Sequence, residues 1–190
     1  PLWRYEEQTC EPCDVLVEGA VRRIRVDSSG RTWLATTGGG VLYSEDDGFR
    51  QFSTAEGLPY PTVNDVYEDE EGQFWFGTRG GGITCYDPFG IQLLGEDEGV
   101  PVTEASALCE DRHGRIWMGF GSGTLHQSYR RSADESVTIC HYDGSSLWVP
   151  GAEERQSLTS CWDILEDADG EMFFIGPEGL VSRSGSHFKH

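Results

Sequence analysis

The 190-residue sequence predicts an all-β fold, a β-propeller of about four blades, each a four-stranded antiparallel sheet. Three observations predict it: a phrase that returns along the chain, a short apolar run before each copy, and 25 glycines spread through the intervening turns. The phrase is an aspartate, a glycine three residues on, an aromatic three residues further, then a glycine-rich turn. It reads Asp27-Ser-Ser-Gly30-Arg-Thr-Trp33, then Asp69-Glu-Glu-Gly72-Gln-Phe-Trp75, Asp111-Arg-His-Gly114-Arg-Ile-Trp117 and, weakened, Asp167-Ala-Asp-Gly170-Glu-Met-Phe173. The copies stand 42, 42 and 56 residues apart, the last spacing being one period plus 14. A period near 42 is the length of a four-stranded propeller blade.

The elements follow in order within each copy. An apolar-patterned run of strand length precedes the aspartate, at residues 21–26, 63–67, 105–109 and 161–165. The aspartate can bond nearby backbone amides, and the glycine supplies the positive φ of a tight turn. The aromatic opens the second strand, where a large ring buries well between stacked sheets. Glycine clusters such as Gly38-Gly39-Gly40 and Gly80-Gly81-Gly82 make the next turn, and a third strand starts at Val41 or Ile83. A more polar fourth strand closes the blade, at residues 49–53 in the first copy. No stretch shows helical periodicity. The blades therefore span about 15–54, 57–96, 99–150 and 156–190 of one domain, 1–190, with 1–14 as an N-terminal strand and linker. Residues 2–5 read as an additional outer strand that pairs with the last blade and closes a small ring; 186–190 read as that blade's own outer strand. A larger propeller, or a ring shared by two chains, is the alternative.

The pattern resembles the two-component regulator propeller repeat, whose blades read roughly "V..I..D..G..W.GT..GGL..Y". The match is strongest over 63–87, where Phe-Gly-Thr and the glycine triplet both occur. The fourth copy departs from it, with Phe173 for tryptophan and Gly176-Pro-Glu-Gly179 for the threonine-glycine run. The resemblance implies the extracytoplasmic sensor part of a bacterial hybrid histidine kinase. Such propellers bind ligands, often saccharides, associate with one another and are not enzymes.

Function in a repeat scaffold sits where the copies differ. Five residues before the aspartate the copies carry Arg22, Asn64, Ser106 and Trp162; four before, they carry Arg23, Asp65, Ala107 and Asp163. The first strand of a propeller blade lines the central channel, so these positions ring its mouth. Arg22, Asn64, Asp65, Arg79, Trp162 and Asp163 are the candidate ligand-binding residues, suited to a polar small molecule or a saccharide; the competing reading is a channel that only holds water. Tyr60 and Glu104 belong to loops on the same face. The 14 extra residues fall in the third blade and read as an extended hairpin. Its Tyr129, Arg130 and Arg131 concentrate positive charge as an interaction arm, or form a tolerated loop expansion.

A net charge of −19 argues against nucleic acid or an anionic membrane surface as partner. No run of some twenty apolar residues is present to span a bilayer. The chain opens at Pro1 without an initiator methionine or a leader, as a processed or excised piece does. Among six cysteines, Cys10 and Cys13 form a C-x-x-C with no second half for a zinc site. They are the first pair to test for a disulfide; Cys85, Cys109, Cys140 and Cys161 fall on or near strands as small buried hydrophobes. The five histidines match no metal or catalytic spacing, so no catalytic residue, metal or cofactor is assigned. The leading function is a non-catalytic sensing or binding module. A propeller-type lyase or hydrolase working at the channel is the alternative, and would need a histidine and a carboxylate converging there.

Overall fold

The computed structural model describes residues 2–6, 9–13, 15–46, 48–87, 90–100, 104–121, 137–151, 158–184 and 187–189. Eighteen strands are present among them, and one short 3-10 turn at Glu96–Glu98. Blade 1 holds β3 (Val21–Val26), β4 (Thr32–Thr36), β5 (Val41–Glu45) and β6 (Gly48–Phe52). Blade 2 holds β7 (Val63–Glu68), β8 (Phe74–Thr78), β9 (Ile83–Asp87) and β10 (Gly90–Leu94). Blade 3 holds β11 (Glu104–Glu110), β12 (Ile116–Gly121), β13 (Ile139–Tyr142) and β14 (Leu147–Trp148). Blade 4 holds β15 (Asp163–Glu166), β16 (Met172–Gly176), β17 (Gly179–Ser184) and β18 (His187–Lys189). Each sheet runs in sequence order, every neighbour antiparallel.

The repeated phrase builds the turn between the first two strands. Asp27 Oδ1 accepts bonds from the amides of Ser29 and Arg31, and Asp69, Asp111 and Asp167 do the same in their own copies. Gly30, Gly72, Gly114 and Gly170 take φ of 87°, 79°, 75° and 88°, a region side chains avoid. The other carboxylate oxygen accepts the indole N–H of the tryptophan six residues on, at 2.8 Å for Trp33 and 2.7 Å for Trp75 and Trp117. Phe173 has no N–H to offer, which is the physical difference of the fourth copy.

Packing between blades follows the same register. The aromatic faces the next blade: Trp33 stacks on Phe74, Trp75 approaches Tyr142, and Trp117 meets Phe174. Three buried cores result, between blades 1 and 2, 2 and 3, and 3 and 4. A carboxylate also stitches each junction. Glu68, Glu110 and Glu166, each one residue before a repeated aspartate, accept the backbone amides of Ser28, Glu70 and Arg112 in the preceding blade's turn.

Four blades with three cores form an open arc among the described residues, and the expected closure by the N-terminal strand is corrected. β1 (Trp3–Glu6) pairs with β2 (Thr9–Pro12) in a hairpin of its own, because residues 9–12 lie antiparallel to it after a two-residue connection. Residues 187–189 do form the outer strand of blade 4. All six cysteines carry free thiols, Cys10 and Cys13 included; Cys161 sits just before β15, not within it. No helix among the described residues is long and apolar enough to cross a membrane.

Candidate functional site

The inner strands β3, β7, β11 and β15 carry the varied positions to the axis of the arc. Three of the four positions five residues before the aspartate are special in their backbone. Arg22, Asn64 and Ser106 are the residues skipped where the pairing register slips between the first and second strands, a β-bulge repeated at one place in three blades. In the fourth blade Trp162 precedes the strand, its amide bonded to the Ile175 carbonyl and the residue 54% exposed. Arg22 is exposed. Asn64 is buried, donates from Nδ2 to the Ala105 carbonyl at 3.0 Å, and leaves Oδ1 without a partner. The main chain of Arg79 bridges to Glu104 and to the Thr62 carbonyl, which fixes the turn after β8 against the loops entering the blades. Tyr129, Arg130 and Arg131 lie outside the described residues.

The next ring inward is an ionic cluster. Asp65 is fully buried; its Oδ1 lies 3.1 Å from Arg23 Nε and 3.7 Å from an Arg25 nitrogen, and its Oδ2 accepts the Leu108 amide. Arg23 also reaches Asp163 of blade 4 at 3.5 Å. Asp65 therefore joins blades 1, 2 and 3, and Arg23 extends the cluster to blade 4. Burial pushes the Asp65 carboxyl above its ordinary value, with Arg23 and Arg25 pulling the other way. Asp65, a candidate ligand-binding residue, thus has both carboxylate oxygens engaged within the protein.

At the opposite end of the inner strands, beside the aspartate turns, lies a cavity of about 420 Å³. Its wall includes one residue per blade from the same repeat position, two before the aspartate: Arg25, Tyr67, Cys109 and Leu165. Sequence reasoning missed this ring, although four unlike side chains at one repeat position was the same signal it used at the neighbouring positions. Burial pushes the Tyr67 hydroxyl above its usual range and the Cys109 thiol up to about 11, so both remain protonated donors at neutral pH. Burial also raises Glu110 at the rim.

Histidines do not meet at this axis among the described residues. His141 is held in β13 between Trp117 and Trp148, ring centroids 4.6 Å and 5.0 Å away. His113 lies in an aspartate turn. No group of three or more histidine, cysteine or acidic side chains is arranged to hold a metal ion among the described residues.

Comparison with known proteins adds a match to two segments of the chain. Residues 57–80 and 99–122 match the two-component regulator propeller model. No curated protein matches the sequence. Among solved structures, the extracellular domain of the one component system BT4673 from B. thetaiotaomicron superposes with a TM-score of 0.68 at 17% identity. The superposition covers 93% of this chain and 23% of that one. A catalytically inactive virginiamycin B lyase from Staphylococcus aureus with quinupristin gives 0.64 at 15% identity, over 87% of this chain and 53% of the lyase. The WD40 propeller domain of Doa1 gives 0.63 at 15% identity, over 94% and 55%. The chain thus spans about a quarter of the first relative and about half of the other two, and these identities speak for the fold. Its four blades and their aspartate turns make the chain a β-propeller, and segments of its second and third blades match the two-component regulator propeller repeat.

Proposed function

We propose that the chain is a non-catalytic, ligand-sensing propeller module of an extracytoplasmic bacterial signalling protein, and that it binds a small polar molecule or saccharide on the axis. The observation that carries this reading is the axial cavity of about 420 Å³, walled by four unlike side chains at one repeat position while the positions around it hold the blades together. That volume suits a small ligand. Arg25 offers a guanidinium, Tyr67 a hydroxyl donor and Leu165 an apolar surface, a mixture fitted to hydroxyl or carboxylate oxygens on a partly apolar body. At the opposite mouth, the exposed Trp162 and Arg22 offer a second set of the same chemistry. The extracellular BT4673 domain supports the signalling setting by likeness of fold.

The lyase likeness keeps an enzyme in view, and the placement of the described histidines away from the axis speaks against that reading. A panel of mono- and oligosaccharides and small organic acids, titrated against the chain by calorimetry, tests the proposal. Binding lost in Arg25→Ala but kept in Trp162→Ala assigns the cavity, and the reverse assigns the opposite mouth. Trp162→Ala keeps its unfolding midpoint, and Arg25→Ala, which also loses the contact with Asp65, is titrated well below its own midpoint. No saturable binder in the panel, or turnover of any member, overturns the sensing role.

A further inference from the structure

We infer that the axial cavity takes a small zwitterion, an α-amino acid with an apolar side chain, and neither a saccharide nor a plain carboxylate. The inference rests on the reading of that cavity as a ligand site and names the class of ligand. Its walls differ in chemistry from blade to blade. Blade 1 contributes the Arg25 guanidinium, blade 2 the Tyr67 hydroxyl, blade 3 the Glu110 carboxylate and blade 4 the Leu165 side chain, all around one space of about 420 Å³. A cation, an anion and an aliphatic surface on separate walls match the carboxylate, ammonium and side chain of one small molecule.

Each of these groups has capacity to spare. Arg25 is 42% exposed along its side chain and meets Asp65 through one terminal nitrogen at 3.7 Å, so its other nitrogens remain to donate to a ligand carboxylate. Its charge is felt at Tyr67 and at Cys109, where it pulls against burial. Three glutamates of one repeat position, Glu68, Glu110 and Glu166, also line the space. Glu68 accepts the Ser28 amide and hydroxyl, one with each oxygen. Glu166 accepts the Arg112 amide and Nε in the same way. Glu110 differs: its Oε2 accepts the Glu70 amide, and among the described residues nothing bonds its Oε1. Burial first, then Asp69, Glu70 and Asp111, push the Glu110 carboxyl up, against the bond from the Glu70 amide. An ammonium group at Oε1 would relieve that crowding of negative charge. Arg112 and Arg115 of the same blade are already paired, with Glu166 and Asp111.

The apolar lining separates an amino acid from a sugar. A sugar ring stacks on an open aromatic face, and this cavity offers none from its bordering tryptophan and phenylalanine. Trp33 and Phe74 are 3% and 6% exposed inside the blade 1–2 core, and Tyr67 packs against the blade 2–3 core. The open apolar surface is aliphatic, from Leu165 and Val26. A net charge of −19 disfavours a ligand that is only anionic, and a zwitterion escapes that repulsion.

Calorimetric titration of the unaltered chain with leucine, isoamylamine and isocaproate tests the inference, since the last two are leucine without its carboxylate and without its amine. Leucine should bind saturably, and removal of either charged group should weaken binding about ten-fold or more. Glu110→Gln keeps an acceptor for the Glu70 amide and removes the counter-charge of the ammonium. In that variant leucine should bind about ten-fold more weakly, and its advantage over isocaproate should shrink by the same factor. Arg25→Gln, titrated well below its unfolding midpoint, should instead shrink the advantage of leucine over isoamylamine. A neutral saccharide or isocaproate that binds at least as tightly as leucine, and is lost in Arg25→Ala, overturns the amino-acid class while the cavity stands as a ligand site. Leucine binding unchanged in both Glu110→Gln and Arg25→Gln places the amino acid elsewhere and overturns the inference. No binding by leucine, its two analogues or any saccharide overturns the inference and the ligand site together.

Discussion

The carboxylate of each of the first three aspartate turns serves two masters at once: one oxygen ties the turn's amides, the other holds the indole that fills the interblade core. Burial alone would raise Asp27 and Asp111; the bonds from Trp33 and Trp117 and from the turn residues outweigh it and hold both carboxyls below their ordinary range. Truncating Trp75 to alanine should cost about 3–5 kcal/mol through the void it leaves. Asp69→Ala should cost less, about 2 kcal/mol, yet more than an ordinary turn bond because the Trp75 N–H is left in a buried place without its acceptor. Urea midpoints of the two variants check the order. His141 belongs to the same scale. Burial, then Arg115 and Arg183, pull its imidazole from 6.5 down to about 4. The unfolded chain therefore binds more protons between those values, so stability is complete above about 6.5 and falls as pH drops toward 4. Replacing His141 by phenylalanine keeps the stack with Trp148 and should flatten that part of the pH profile, read by thermal melts across the window. Below it, protonation of Asp27 and Asp111 continues the loss.

At the scale of the element, the junction between blades is a face of apolar side chains plus one glutamate reaching back to the preceding turn. Glu110→Ala removes the acceptor of the Glu70 amide, an exposed bond, and should cost about 0.5–1 kcal/mol. Hydrogen exchange should report the loss at the turn of blade 2 before any other turn; an unchanged Glu70 amide would show the clamp to be ornamental. The strands were legible because their alternation and the spacing of aspartate, glycine and tryptophan are local properties. The bulges at Arg22, Asn64 and Ser106 were not, since a slipped register is settled by the twist two strands adopt together. The indole-to-carboxylate bond could have been read from its spacing of six, which Phe173 breaks.

For the whole molecule, the repeat announced blades and their order but not whether they close. Closure depends on how much each blade rotates against the next, a sum of small side-chain volumes with no single residue to mark it. The candidate site was half legible for a related reason. Variation between copies pointed to the inner strands, but only burial shows that Asp65 is engaged by Arg23, Arg25 and the Leu108 amide while Arg25 and Tyr67 also line the cavity. The three separate cores have a mechanical meaning as well. The apolar packing of each blade is with its neighbours, and the Arg23–Asp163 ion pair is a half-exposed contact that reaches across the axis, so stability is close to a sum over junctions and not the property of one centre. Among the described residues an end blade has one such core to lose where an inner blade has two. A stretching force along such a chain meets a series of modest barriers and not a single large one, and the arc sheds blades from its ends while the middle pair still holds.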